Sequence, residues 1–189
     1  EQSNLRINYK RTATQPTMSQ LLNIIDNTDP QNISVGNPGL EPAFTHRFRL
    51  FYNTFRQSHA QALMTFANFS ATRNAIGNSV SYDAASGART VKPVNVNGNW
   101  DADAAVMYNT SIDSAGVWNI HTFTRAGFNR YVSFLQPDFA SSLQKNITKS
   151  LTLGERLAGS YRNSWLELEL DGSADFTRTK NNLQSFSNL

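Results

Sequence analysis

A long run of alternating residues between positions 116 and 134 constrains the fold of this chain more than any other feature. The residues at every second position from Trp118 to Phe134 are mostly apolar, and those between them are mostly polar. A period of two indicates a β-strand with one apolar and one polar face. Strands in soluble domains usually have about 5–6 residues, and this alternation continues for roughly three times that length. Strands of this kind are typical of β-barrels that cross a membrane, with one face toward lipid and the other toward a watery lumen.

Alternating segments recur along the whole chain. They cover residues 5–10, 44–56, 61–82, 89–110, 116–134, 151–161 and 166–176. The connections between them are alternately long and short: 12–43, 57–60, 83–88, 111–116, 135–147 and 162–164. Outer-membrane barrels show this asymmetry, because their periplasmic turns are short and their extracellular loops are longer. We therefore predict an all-β fold, an antiparallel up-and-down meander of about seven long strands that is part of a larger transmembrane β-barrel.

The first long connection differs in composition from the alternating segments. Four prolines interrupt residues 12–43, and proline cannot donate to a central β-ladder. Met18 to Ile25 is predicted to form one or two helical turns inside this loop. A loop of such length indicates either a function of its own or a large parent protein.

Composition narrows the function classes. Charged residues make up 16% of the chain, below the usual figure of about 25%, and polarity comes instead from Asn, Ser and Thr. No apolar stretch approaches the roughly 18 residues of a transmembrane helix. The net charge of +3 comes from scattered Lys and Arg, which argues against nucleic acid as a partner. The absence of Cys excludes disulfides and thiol catalysis.

Candidate chemical sites give little support for an enzyme. His46, His59 and His121 would have to converge with carboxylates to bind a metal, and the sequence favours unliganded polar residues. The same-face pair Asp101 and Asp103, and the trio Glu167, Glu169 and Asp171, could serve acid–base chemistry only in a cleft. Neighbouring acids on one strand face more often line a surface that is in contact with water, because a dry core cannot hold unpaired charges. No catalytic, cofactor-binding or metal-binding residues are predicted.

Three further sequence features have simple interpretations. Gly36 and Gly39 flank Pro38 in a predicted turn, and no Lys follows as it would in a phosphate-binding loop. Glycosylation sequons begin at Asn32, Asn68, Asn109 and Asn146, and we interpret them as coincidence in a chain whose commonest residue is Asn. Aromatic residues near the predicted strand ends are candidates for the interfacial girdles of a barrel: Tyr82, Trp100, Tyr108, Trp118 and Tyr161.

Ordered short motifs carry a resemblance to a known family. The chain contains Arg6-Ile-Asn-Tyr9, Gly36-Asn-Pro-Gly-Leu-Glu-Pro42, Val94-Asn-Val-Asn-Gly-Asn99 and Asn146-Ile-Thr-Lys-Ser-Leu-Thr-Leu-Gly-Glu155, followed by Tyr161-Arg162. In this it resembles the outer-membrane β-barrel family of Bacteroidetes, a branch of the TonB-dependent receptors. It departs from that pattern at Pro42, where Glu41 precedes and Ala43 follows.

The resemblance implies location in the outer membrane and uptake of a bulky nutrient ligand, with energy from TonB, through a barrel of about 22 strands that holds a plug domain. The whole chain, 1–189, is then expected to be one internal segment of that barrel, in contact with outer-membrane lipid. An isolated segment is expected to self-associate through its open strand edges. The alternative from the residues is a soluble or cell-surface β-sandwich that binds glycan or protein.

Overall fold

Eleven strands and one short helix make up the part of the fold that the structure describes. The computed structural model describes residues 2–57, 60–136 and 142–183. The elements are β1 (Gln2–Thr14), α1 (Met18–Leu21), β2 (Ile25–Asp26), β3 (Asn32–Val35), β4 (Ala43–Arg56), β5 (Gln61–Arg73), β6 (Ala75–Tyr82), β7 (Arg89–Val96), β8 (Asn99–Ser111), β9 (Trp118–Leu135), β10 (Gln144–Arg162) and β11 (Glu167–Asn181). No described residue belongs to a helix with the length and apolarity needed to traverse a bilayer.

Seven long strands form the antiparallel meander that the alternation predicts. They lie side by side in the order β1, β4, β5, β8, β9, β10 and β11, each antiparallel to its neighbours. Each has 13 to 19 residues, so several extend beyond the predicted bounds. At about 3.3 Å per residue, β10 reaches roughly 60 Å. The register is constant along every pair, so the side-chain alternation is never reversed.

The predicted count of about seven strands is wrong for the sheet as a whole, because the connection 12–43 contains β2 and β3 and because the segments 61–82 and 89–110 are each two strands. The first breaks at Asn74, which adopts a left-handed conformation with φ of 52°. The second breaks at Asn97 and Gly98, where φ of Gly98 is 104°. A positive φ at these two positions turns the chain out of the meander, and Gly and Asn are the residues that tolerate it best. β6 and β7 therefore leave the seven-stranded meander, which we call the wall, as a hairpin, while β5 and β8 pair directly.

The hairpin begins a branch of the sheet at the end of the meander that carries the long connections. β6 pairs in parallel with the last residues of β9, at Ser79–Phe134 and Val80–Leu135. β7 pairs with β6, β3 with β7, and β2 with β3. The predicted loop 83–88 is thus the tip of this hairpin, and the whole excursion from the wall spans 74–98. The loop 12–43 also contains β2 and β3, and its predicted helix is confirmed at Met18–Leu21 but gives way to β2 at Ile25.

An asparagine network fastens the first long connection to this branch. Asn95 accepts a hydrogen bond from the Glu41 amide at 2.8 Å and donates to the carbonyls of Glu41 and Asn74, both at 2.9 Å. Asn37 donates to the Pro93 carbonyl at 2.9 Å. Asn74 in turn donates through its side chain to Glu41 Oε2 at 2.8 Å. The two segments 36–42 and 94–99, which are far apart in sequence, are therefore bonded to each other.

Apolar burial is confined to the same region. The buried cluster consists of Ala75, Val96 and Val132, with Val94, Phe134 and Ile147 packed against it. The long strands of the wall keep large apolar side chains exposed, among them Leu5, Ile7, Leu157 and Leu170. The described residues form one connected sheet, and no second sheet packs across it. A β-sandwich would bury one face of each sheet, so this arrangement does not support the sandwich alternative.

The described sheet is not closed. β1 pairs with β4 and β11 pairs with β10, and within the described residues each has a free outer edge. All residues of β1 and nearly all of β11 are exposed. These two edges are where further strands could add to the wall.

Removing the Asn95 side chain should loosen the first long connection. Asn95→Ala loses three hydrogen bonds that join Glu41 and Asn74 to β7. We expect the free energy of unfolding to fall by about 1–3 kcal/mol, because three hydrogen bonds are lost, one of them to the partly buried Asn74 carbonyl. Protease cleavage within 15–42 should also become faster.

Asn78→Ala is the matched control, because Asn78 is exposed on the neighbouring strand β6. Equal cleavage rates in both variants and the unchanged chain would contradict the proposed fastening role of Asn95.

Candidate functional site

The meander presents one apolar face and one polar face, and these surfaces are its candidate functional site. On β9 the apolar face carries the residues at even positions from Trp118 to Phe134, and the paired registers extend this face to all seven long strands. Its middle is lined by small and aliphatic residues: Leu50, Ala67, Ala102, Ala104, Ala126, Leu151 and Leu153. Such a surface is unfavourable in water and favourable against lipid.

Aromatic side chains border the apolar face at both ends. Toward the long connections, ring contacts run across five strands from Tyr9 to Phe128 by way of Phe48, Phe69 and Trp100, with centroid distances of 4.7, 6.4, 6.0 and 4.8 Å. Toward the short turns, Trp118 packs on Tyr161 at 4.7 Å, and Tyr108 lies on the same face. On β9, Trp118 and Phe128 are ten residues apart, which is roughly 25 Å along the normal for a strand tilted by about 40°.

The predicted girdle residues therefore fall in two places. Trp100 belongs to the border near the long connections, and Tyr108, Trp118 and Tyr161 belong to the border near the short turns. Tyr82 lies at the end of β6 on the branch, outside the seven-stranded wall.

Ion pairs distinguish the polar face. Arg156 donates through Nε and Nη2 to Asp171 Oδ2 at 3.0 and 2.6 Å. Arg162 pairs with Glu167 beside the last turn. Asn68 donates to Asp103 Oδ2 at 2.7 Å. Two of the three acids at the start of β11 thus have arginine partners on β10. Arginine therefore neutralises two of the three carboxylates on the water-exposed surface that the sequence predicts.

One ion pair on the polar face crosses a whole strand. Arg125 of β9 donates through Nη2 to Asp175 Oδ1 of β11 at 2.7 Å, passing over Gly154 of β10. A Cβ at Gly154 would overlap Arg125 Nε and Asp175 Oδ1. A larger residue at this position would therefore have to displace the two side chains from the space in which they meet.

The candidate catalytic and metal-binding residues do not assemble into a site. His46 lies on the apolar face, where Nδ1 contacts the Tyr9 hydroxyl at 2.8 Å, and His121 lies on the polar face beside Asn109 at 2.9 Å. His59 lies outside the described residues. Within the described ranges no group of three or more His, Asp or Glu could hold a metal ion. Asp101 and Asp103 are neighbours on an open strand face, not in a cleft.

The remaining motifs have structural roles. The turn predicted at Gly36–Gly39 is confirmed, with the Leu40 amide donating to the Asn37 carbonyl at 3.2 Å. Asn68, Asn109 and Asn146 lie within long strands, and Asn32 begins β3 and donates to Asp29 Oδ2 at 2.8 Å.

Acidic residues in the connections outside the wall stabilise turns by accepting hydrogen bonds. In the β8–β9 turn, the Trp118 amide, followed by that of Val117, lowers the pKa of Asp113 below its ordinary value. At the hairpin tip, hydrogen bonds from Ser86 and Ala85 lower the pKa of Asp83. In both, the bonds stabilise the charged form, so the contribution is present above the ordinary Asp pKa and is lost as pH falls through the lowered one.

Sequence reasoning missed an apolar patch on the polar face near the short turns. It consists of Phe51, Phe55, Met64, Phe66, Met107 and Phe123, with the rings of Phe51 and Phe66 5.0 Å apart. Phe55, Met64, Phe66 and Met107 are between 37% and 48% exposed. Phe51 and Phe66 each interrupt the polar set of their own strand, but the strand register is needed to place them side by side.

Comparison with known proteins gives one match. The sequence model of the outer membrane protein beta-barrel family matches residues 1–188. No curated protein and no solved structure matches the chain.

Filling the space above Gly154 should break the ion pair that crosses β10. In Gly154→Ala the added Cβ displaces Arg125 from Asp175. The expected loss in the free energy of unfolding is about 1 kcal/mol, since the pair is half exposed. Urea titration of the chain in lipid vesicles measures it.

Gly127→Ala is the control on the same face, because a Cβ there meets only Thr152 Cβ, at 4.0 Å. If both substitutions change stability by the same amount, the crossing ion pair contributes nothing.

Proposed function

We propose that this chain, which belongs to the outer membrane protein beta-barrel family and is located in the outer membrane, supplies part of the wall of a larger receptor and transport barrel. The observation that carries the proposal is the separation of the two faces across seven registered strands. The apolar face, bordered by aromatic rows, is suited to lipid, and the ion-paired polar face is suited to a watery lumen. The open edges of β1 and β11 are suited to pairing with further strands of the same barrel.

The long connections form the ligand side in this proposal. They carry a folded layer, because β2, β3, β6 and β7 pair with one another and β6 pairs with β9. The asparagine network joins the first long connection to this layer. A folded layer presents defined hydrogen-bonding groups to a ligand, whereas the three short turns offer little surface. In outer-membrane barrels the long loops are extracellular, so in this proposal the layer lies outside the cell.

More specifically, the proposed barrel transports a bulky nutrient with energy from TonB. The apolar patch on the polar face is where a plug domain would pack, since exposed Phe and Met side chains in a lumen otherwise meet water. The family resemblance of the motifs supports a plugged barrel. A carbohydrate or chelate too large for a diffusion pore is the ligand class that needs such a device.

Cysteine substitution tests the assignment of the two faces, and the chain has no native Cys to interfere. Leu153→Cys and Thr152→Cys place adjacent probes on opposite faces of β10 in the gene product, in outer-membrane vesicles. A bimane fluorophore attached at position 153 should be quenched by brominated acyl chains, and one at position 152 should not. The reverse pattern, or equal quenching, would contradict the assignment.

Nutrient uptake tests the transport proposal. Cells that lack the gene should lose uptake of one bulky nutrient from a panel of oligosaccharides and iron chelates. Collapse of the proton-motive force should remove the same uptake in cells that have the gene, while entry of a small sugar through general pores serves as control. Uptake that persists without energy would identify a passive pore and rule out coupling to TonB.

A further inference from the structure

A row of seven residues, four of them Arg or Lys, crosses the apolar face at its border with the long connections. The paired registers join Arg11, His46, Ala71, Trp100, Arg130, Lys149 and Lys180 into one continuous row across all seven long strands. We call this the cationic row. Arg130, Lys149 and Lys180 occupy three adjacent strands, so their backbones span only about 10 Å. Arg11, Lys149 and Lys180 are exposed.

No carboxylate on this face neutralises the cationic row. Among the described residues of the seven long strands, the acid on the apolar face is Glu155, six residues from Lys149 along β10. That is roughly 20 Å. Glu155 accepts instead from Thr124 Oγ1 at 2.5 Å. The polar face of β9 and β10 differs, because there Arg125, Arg156 and Arg162 each contact a carboxylate. Like charges directly opposite one another destabilise a sheet, so an anionic partner from outside the chain would stabilise Lys149 and Lys180.

The surface next to the row is apolar and recessed. A groove of about 530 Å³ runs along the apolar face with Ala67, Ala102, Ala104 and Ala126 along it. Phe128 and Leu151 line its end and lie two residues from Arg130 and Lys149. Phosphate-binding charge and an acyl-sized groove are therefore about 7 Å apart along β9 and β10.

We propose that the cationic row and this groove bind a phosphorylated lipid of the outer leaflet, with lipid A as the matching chemistry. The headgroup phosphates accept hydrogen bonds from Lys149 and Lys180, which lie on neighbouring strands, and an acyl chain lies over the alanines of the groove. Arg130 already donates to the Gly98 carbonyl at 2.5 Å and keeps further N–H groups for the phosphate. The inference rests on the proposed function, because it takes the apolar face as the lipid-facing one. Lipid A is preferred to other anionic lipids because the row lies beside the long connections, the extracellular side in that proposal.

The test measures lipid retained by the gene product after insertion into vesicles of phosphatidylcholine, of phosphatidylcholine with lipid A, and of phosphatidylcholine with phosphatidylglycerol. Basic residues near an anionic lipid surface each contribute enough that Lys149→Gln with Lys180→Gln should lower lipid A retention about thirtyfold. The same variant should insert into pure phosphatidylcholine as well as the unchanged chain does. High salt should reduce retention by the unchanged chain.

The matched control is Lys10→Gln with Arg47→Gln, a directly paired set of cations on the polar face one position from Arg11 and His46. It should retain lipid A as the unchanged chain does. A second variant, Ala104→Phe, fills the groove without altering charge and should also reduce retention.

The outcomes separate the two proposals. Failure of the unchanged chain to insert into any vesicle contradicts the lipid-facing assignment and thus the proposed function. Normal insertion with equal lipid A retention by the row variant and the control overturns the lipid site alone. Equal retention of phosphatidylglycerol and lipid A by the unchanged chain overturns the choice of lipid A.

Discussion

Backbone hydrogen bonding between the long strands is the interaction on which the rest of this structure depends. A chain that crosses the hydrocarbon layer as strands must satisfy its amides and carbonyls within the sheet, since lipid offers no partners. The seven strands do so in unbroken antiparallel registers of up to 18 paired residues, from Tyr161–Trp118 to Gln144–Leu135 in the longest pair. Because the register never slips, each strand keeps the same two faces along its whole length, and the ion pairs all lie on the polar one. A bulge or a one-residue shift would exchange the faces beyond it.

Departures from the regular ladder occur at the end of the wall where the long connections lie. Asn74 and Gly98 turn the chain out of the meander, and the hairpin that results pairs with the part of β9 that extends beyond β8. The buried cluster around Val132 and the hydrogen bonds of Asn95 form at this junction. Order in the folded layer thus comes from side-chain amides and a small core, whereas order in the wall comes from the ladder.

The two faces differ in how their charged residues are arranged. On the polar face of β9, β10 and β11 arginines and carboxylates are placed within reach of each other, even across the intervening strand at Gly154. On the apolar face of the same strands Arg130, Lys149 and Lys180 share one row near the long connections, and among the described residues of this face the carboxylate, Glu155, lies far from them. This segregation of charge indicates that the two faces meet different surroundings. It is also why the anionic partner of the cationic row is sought in the membrane and not in the chain.

Local alternation along the chain determined the strand class, the two faces and the approximate bounds of the wall, because period-two alternation depends only on neighbouring residues. It also placed Trp100, Trp118 and Tyr161 on the apolar face. Alternation did not reveal that the segments 61–82 and 89–110 are each broken, because it continues through Gly98 and because its lapse at Arg73–Ile76 does not show whether the chain turns there. Strand pairing decided the rest: the branch of β6 on β9, the Phe51–Phe66 contact, the arginine partners of the acids and the alignment of Arg11 with Lys180. These features join residues far apart in sequence, and only the register of the folded sheet brings them together.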